Sequence, residues 1–569
     1  MMGILAPVVS SPSVFPSAIW KPQQCQKGLM RFAVLLQHGS RNLYPVFLRT
    51  AAPAVRCIST KGYVEFQNTC NSSSGGMAPE DMQKSKVFLD NSSTSMGNTN
   101  DFETDLQEFF NQVKSMLVSG NKEGAIDLLR ANYSLVKEQI DAGTRGMEQA
   151  ATLDIIALGY MGVGDFKFVE NLLEMLHEMV GCVQNDEPLL DSILMHMGSM
   201  YTTLGRLEDA MLVYNRGLEI LEGLFGKHSP FLITPLMGIA RVFGLTGRAA
   251  KAIEIYHRAI SILEISRGNE CEDLVVPLCA LGNLLMKEGR ITDAECSFKR
   301  ILNIHTSSYG ANDGRAGMAM CSLAHATCAK GNVNDAILLY RKGLEVIKDS
   351  EYMSLDDDVL EKMRVDFAEL LHVAGREQEG RELLEECLLI CERYKGKEHP
   401  SSVTHLLNLA SSYSRSKNFV EAERLLRTSL QIMSKTVAPE DQSLTVPMLH
   451  LAITLYHLKR DEEAERLALK AVHIRENAFG KQSLPVGEAL DCLISIQASM
   501  GKADGDLLAL LKRVLSIQEE SLGYESEEVM VTLTKILSIL DKLGRQHEKL
   551  PLQKRLSILR RRYKQRVPI

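Results

Sequence analysis

The sequence predicts an all-α protein made of stacked helical hairpins. Three observations carry that prediction: a turn that recurs about every 42 residues, small residues at fixed offsets on both sides of it, and apolar residues at helical spacing around them. The turn stands at Gly120, Gly164, Gly205, Gly247, Gly289, Gly331, Gly375, Lys417, Lys459, Gly501 and Gly544, and successive turns lie 41 to 44 residues apart. Glycine takes a left-handed backbone at little cost, so it can end one helix and let the next begin. A polar residue follows each turn, among them Asn121, Arg206, Arg290, Asn332, Arg376 and Arg460.

Seven residues before the turn stands a small residue: Ala157, Gly198, Ala240, Gly282, Ala324, Ala368, Ala410 and Ala452. Five residues after it the small residue recurs as Ala125, Ala210, Ala252, Ala294, Ala336, Gly380, Ala422 and Ala464. Matched small residues let two antiparallel helix axes approach closely. Nine after the turn a larger side chain fills the interior: Tyr214, Tyr256, Phe298, Tyr340, Leu384, Leu426. Each period therefore reads as helix, tight turn, helix, connector. One hairpin cannot bury its own apolar face, but a stack of them shares a continuous core.

The order small, turn, small, large resembles the tetratricopeptide repeat, most completely between Leu189 and Val486. Connectors reading FGKHSP (Phe225–Pro230), KGKEHP (Lys395–Pro400) and FGKQSLP (Phe479–Pro485), with LLNLA at Leu406–Ala410, are similar to the long-helix subtype of kinesin light chains and nephrocystin-3-like proteins. The resemblance spans roughly residues 100–550 and implies a right-handed superhelical α-solenoid. The organisation it suggests is atypical helical repeats at 101–188, core repeats at 189–500, capping repeats at 501–551 and a basic C-terminal helix at 552–569. Terminal units depart from the pattern because they cap the stack: Asp506 and Lys549 stand where Ala is expected.

The first 64 residues contain no Asp or Glu and seven Lys or Arg. An acid-free basic leader reads as an organellar transit peptide over 1–60, chloroplast in the leading reading and mitochondrion in the alternative. Residues 61–100, rich in Asn, Ser, Gly and Met, read as a disordered linker. No heptad segment precedes the repeats, whereas kinesin light chains join their heavy chain through one. Nine of the twelve cysteines fall within the repeats at apolar positions, without C-x-x-C spacing, as small buried hydrophobes.

Catalytic and cofactor motifs are missing: no phosphate loop, dinucleotide turn, H-E-x-x-H pair or G-x-S-x-G elbow. The sequence predicts a non-enzyme without cofactor or metal. Asp356, Asp357 and Asp358 read as a solvated connector rather than a cation site.

The resemblance places ligands on the first helix of each hairpin, as extended peptides in a concave groove. Two rows result. Six residues before the turn are Ser199, Arg241, Asn283, His325, Glu369 and Ser411. Two before it are Thr203, Leu245, Lys287, Ala329, Val373, Arg415 and His457. The candidate groove residues are Arg241, Asn283, Lys287, His325, Asn408 and Arg415, with Asn283 and Asn408 holding a peptide backbone. The lining is mildly basic, so the expected partner is a peptide segment with acidic residues.

Charge is uneven. Residues 65–548 carry 49 Lys and Arg against 71 Asp and Glu, a net of −22, whereas eight basic residues and no acid follow Glu548. Leu552, Leu556 and Leu559 give that tail helical spacing. It reads as a solvating last helix, with contact to nucleic acid or an anionic membrane as the sharper alternative. No apolar run approaches the roughly 18–20 residues a membrane span needs. The leading functional reading is a scaffold or adaptor in organellar complex assembly or maintenance. The alternatives are a cytosolic cargo or cytoskeletal adaptor and an RNA-associated factor.

Overall fold

The computed structural model describes residues 99–181 and 183–566; the transit peptide and nearly all of the linker expected at 1–100 lie outside them. The described residues hold twenty-two α-helices and no strand, which are eleven hairpins. They fall into two compact units that part at residues 304 and 305.

In the first unit the hairpins are α1 (Thr99–Val118) with α2 (Lys122–Asp141), α3 (Met147–Val163) with α4 (Phe166–Gly181), α5 (Leu190–Thr203) with α6 (Leu207–Phe225), and α7 (Ile233–Leu245) with α8 (Ala249–Arg267). Then come α9 (Val275–Lys287) and α10 (Ile291–Tyr309), the latter carrying the boundary between the units. In the second unit, α11 (Gly314–Ala329) pairs with α12 (Val333–Asp349), α13 (Asp358–Val373) with α14 (Glu377–Lys395), and α15 (Ser402–Arg415) with α16 (Phe419–Thr436). The last six helices are α17 (Thr445–His457), α18 (Asp461–Phe479), α19 (Leu484–Ser499), α20 (Asp504–Leu522), α21 (Glu527–Lys542) and α22 (Gln546–Arg566).

All eleven turn residues are left-handed: the nine glycines run from Gly544 at φ +65° to Gly331 at φ +98°, and the two lysines share the conformation (Lys417 +60°, Lys459 +62°). In each hairpin the N–H after the turn residue donates to a carbonyl five residues back, as Arg248 does to Phe243 and Asn418 to Tyr413, both 2.9 Å. This closes the end of every first helix in one geometry and starts the second helix two residues after the turn residue in most hairpins.

The polar residue after the turn has two uses. Asn121 and Asp165 accept from the backbone N–H three residues on, at 3.0 and 3.2 Å. Arg206, Arg290 and Arg376 instead pair with the acid three residues on, Asp209 (2.7 Å), Asp293 (2.6 Å) and Glu379 (2.5 Å).

The small residues sit where expected. Ala240, Ala252, Ala294, Ala324, Ala336 and Ala452 are fully buried, and the large slots Tyr214, Tyr256, Phe298, Tyr340, Leu384 and Leu426 are buried beside them. A Cβ on Gly198 would come within 2.5 Å of the Tyr214 ring, so this hairpin needs glycine where others hold alanine. The backbones of α11 and α12 approach more closely still: a Cβ on Gly317 would stand 2.7 Å from the Gly343 carbonyl, and the converse holds for Gly343.

Helix α22 begins at Gln546 and passes through Pro551, so the basic helix expected from residue 552 is the second half of the last hairpin. Pro551 donates no hydrogen bond to the preceding turn. Helix α22 is held nevertheless, because Leu552, Leu556 and Leu559 pack on Val529, Met530 and Leu533 of α21. The Asp356–Asp358 run is also more structural than expected: Asp357 caps α13, accepting from the N–H groups of Val359 (2.8 Å) and Leu360 (3.3 Å).

An L-residue pays roughly 1–2 kcal/mol in the left-handed region, offset in part by about 0.4–1 kcal/mol of unfolded-chain entropy that glycine adds. Gly331→Ala is therefore expected to lower stability by about 1 kcal/mol, whereas Lys417→Gly leaves it unchanged or slightly raised. Urea denaturation of the three proteins measures the contrast. Gly343→Ala, which meets backbone rather than a flexible side chain, is expected to cost about 1–3 kcal/mol by the same assay.

Candidate functional site

On the first helices, the residue seven before each turn is turned inward, and the residues six and two before it are among those left at least partly open to solvent. The first row, Ser199, Arg241, Asn283, His325, Glu369 and Ser411, is half-buried throughout. In the second, Thr203, Leu245, Lys287, Val373 and Arg415 are exposed, while Ala329 and His457 are half-buried.

In the first unit Arg241 stands on α7, and Asn283 and Lys287 stand on α9, the next first helix. Arg241 lies close enough to the buried Tyr214 and Tyr256 to oppose the rise in their phenol pKa values, which burial pushes up to about 12. Its Nε is shielded from solvent and donates to no acceptor. Asn283 Nδ2 donates to Cys279 Sγ at 3.6 Å. Lys287 is exposed and forms no ion pair among the described residues.

In the second unit, His325 stands on α11, and Asn408 and Arg415 both stand on α15. The intervening α13 contributes Glu369, whose carboxyl is raised by burial and by Asp366, against the lowering influence of Lys362 and Arg415. Beside them His372 is pushed down to about 4 by burial and by Arg415, and both its ring nitrogens are buried without a partner. His457 lies flat on Phe419, 4.3 Å between ring centres, and burial together with Lys459 lowers its pKa. It acts as an aromatic plate there rather than as a cation. The positive balance of the rows thus rests on Arg241 and Lys287 in the first unit, whereas Arg415 faces Glu369 in the second.

Sequence reasoning missed a buried pair of acid and base. Asp154 on α3 and His196 on α5 are both buried, with Oδ2 and Nδ1 2.6 Å apart. Burial raises the Asp154 carboxyl, and His196 opposes that rise. Asp154 Oδ1 has no partner. The two residues stand 42 apart, so the repeat spacing itself was the available signal.

It also missed an ion-pair ladder between second helices. Arg258 of α8 pairs with Glu222 of α6, and Arg300 of α10 with Glu264 of α8 at 2.6 Å. In the second unit Arg513 of α20 pairs with Glu476 of α18 (2.6 Å), and Arg555 of α22 with Glu519 of α20 (2.5 Å). A second network ties neighbouring turns: Arg427 bonds Glu423 and Glu463, both at 2.8 Å, and Arg460 bonds Glu423 at 2.7 Å. Part of the charge on the helix faces is therefore spent in holding hairpins together.

The buried thiols are inert. Burial pushes Cys279 up to about 11 and Cys387 and Cys492 up to about 12, so none is a thiolate at neutral pH. Among the described residues no group of three or more His, Cys, Asp or Glu is placed to hold a metal ion, and no helix is long and apolar enough to cross a membrane.

The chain matches the tetratricopeptide repeat family at residues 189–265 and 360–435, and a second description of the same repeat at 448–484; these segments are tetratricopeptide repeats. Among solved structures it is similar to a kinesin light chain with nearly identical TPR-like repeats from Podosopora anserina, at 21% identity over 37% of this chain and 98% of that one, TM-score 0.34. BtubC (BKLC) from P. vanneervenii is 16% identical over 44% of this chain and 93% of its own, TM-score 0.32. The apo quorum sensor NprR from B. thuringiensis is 14% identical over 65% and 99%, TM-score 0.41. A search of curated protein sequences returns no match.

Removing one partner of a buried pair strands the other and costs roughly 3–5 kcal/mol. His196→Ala is expected to lose stability on that scale, whereas Asp154→Asn keeps a hydrogen bond to His196 and loses far less. The sign of the pH effect follows from the raised Asp154 carboxyl. Its contribution is full below the unfolded value of 3.8 and falls as pH rises through the higher folded value. The melting temperature of Asp154→Asn relative to the native chain is therefore expected to rise as pH increases above 3.8.

Proposed function

We propose that this chain is a non-catalytic scaffold whose first-helix face holds an extended peptide segment of a partner protein. The observation that carries the reading is the division of labour within each hairpin. The inward residues before the turn are small and repeat faithfully, while those six and two before it vary and face solvent.

The α7–α9 stretch is the part of that face we assign to acidic side chains. Arg241 and Lys287 stand there with no carboxylate in either row of the same unit, and a ligand carboxylate supplies the acceptor that Arg241 Nε lacks once the side chain swings outward. Asn283, and Asn408 in the second unit, offer amide groups to a peptide backbone. A segment of mixed charge suits the α13–α15 stretch, where Glu369 and Arg415 oppose each other. The acid-free leader supports placing the protein in an organelle, the chloroplast first, in the assembly or maintenance of a protein complex.

The test is co-purification from the compartment where tagged full-length protein is found, with the mature N-terminus sequenced. Arg241→Glu combined with Lys287→Glu is expected to reduce partner recovery at least tenfold while the melting temperature holds. Recovery equal to that of the native chain overturns the assignment.

A further inference from the structure

Nine of the eleven hairpin turns carry glycine, and two consecutive ones carry lysine: Lys417 between α15 and α16, and Lys459 between α17 and α18. Both lysines hold the left-handed backbone, at φ +60° and +62°, a strain that glycine avoids. The turn geometry itself makes no use of their side chains. The N–H groups after them close the first helices as in the glycine turns, Asn418 onto Tyr413 and Arg460 onto Leu455, both 2.9 Å. Side chains kept in a strained conformation that the backbone does not need point to a role at the surface.

Both side chains are exposed, and neither forms an ion pair among the described residues. The acids of the same turns are engaged elsewhere. Glu421 is bonded by Arg424, and Glu423 and Glu463 are shared between Arg427 and Arg460. Asp461 and Glu462 stand in the first turn of α18, where acids favour the helix dipole. The Lys459 ammonium instead lies 5.9 Å from the Tyr456 ring, and its charge adds to burial in lowering the His457 pKa. It is directed over the end of α17, where the groove rows finish. On α15, Asn408, Ser411 and Arg415 share one face, and Lys417 follows two residues later; on α17, Ile453 and His457 precede Lys459 in the same register. Arg415 faces Glu369, so the two lysines are the uncommitted cations at this end of the rows.

We infer that Lys417 and Lys459 form an anion-holding edge on the second unit, where they engage successive carboxylates of an acidic stretch in the partner segment that Asn408 holds by its backbone. The inference rests on the first-helix face being a peptide groove, and it names the chemistry of the ligand at this stretch. Two exposed ammonium groups on consecutive turns suit side-chain carboxylates repeated along an extended chain. A nucleic-acid strand suits the edge less well. The aromatic ring nearest to it, His457, lies flat on Phe419 with 4.3 Å between ring centres, so one face that a base would stack on is already covered.

The experiment uses full-length protein and two labelled dodecapeptides, one alternating Glu with Ser and one alternating Gln with Ser, followed by fluorescence anisotropy. The Glu peptide is expected to bind the native chain at least about tenfold more tightly in about 20 mM salt, with the advantage shrinking in about 0.5 M salt. Lys417→Gly combined with Lys459→Gly is expected to weaken the Glu peptide at least about fivefold. The melting temperature of that variant holds or rises, because glycine relieves the left-handed strain. Lys417→Arg combined with Lys459→Arg keeps the binding, which separates charge from backbone. Equal affinities of the two peptides, no binding of either, or a Glu-peptide affinity unchanged in the glycine variant overturns the inference. A labelled decauridylate that binds more tightly than the Glu peptide and is lost in the glycine variant overturns it too and assigns the edge to nucleic acid. Asn408→Ala reads the groove separately. Weaker binding of the Glu peptide there supports one shared ligand, whereas loss confined to the lysine variants leaves the edge standing and overturns the groove reading at Asn408.

Discussion

The left-handed residue between the two helices of each hairpin is the constraint on which the remaining geometry depends. It fixes where the first helix stops and, in most hairpins, starts the second two residues later, which brings the small residues seven before and five after it to the same height. That register lets Tyr214 or Phe298 fill the space between helices and sets the ladder arginines opposite the glutamates of the previous hairpin. The strength of the constraint shows at Lys417 and Lys459, where a β-carbon is tolerated in the left-handed region rather than the turn being remodelled.

The hairpins were legible because their determinants are local. A turn glycine, a small residue and a helical apolar period each declare themselves within one period, so all eleven turns fall where the spacing puts them, even at the terminal units. What was not legible depends on pairs that only stacking brings together. Asp154 and His196 belong to no motif in the sequence, although they meet in a buried bond. The ladder pairs, such as Arg300 with Glu264, lie 36 residues apart and look like ordinary solvated charge. Asp357 read as part of a solvated run because a cap is indistinguishable from a loop acid until the helix start is fixed to the residue.

The candidate site divides in the same way. Its rows follow from the repeat, and their exposure agrees with that register. The electrostatics do not follow from composition: His457 is drawn onto Phe419 and Arg415 is set against Glu369, so cations counted along the sequence are unequal in the folded protein. The last helix is similar. Its excess of basic residues is partly consumed by Glu519 and Glu525.

Hydrogen exchange by mass spectrometry on a Gly289→Val variant tests the central claim, that each turn governs its own hairpin through its left-handed residue. At φ +76° valine is strained, so α9 and α10 are expected to lose protection together, with partial loss in α8 and none in α19 and α20. Uniform loss along the chain, or loss in α9 without α10, would contradict the account.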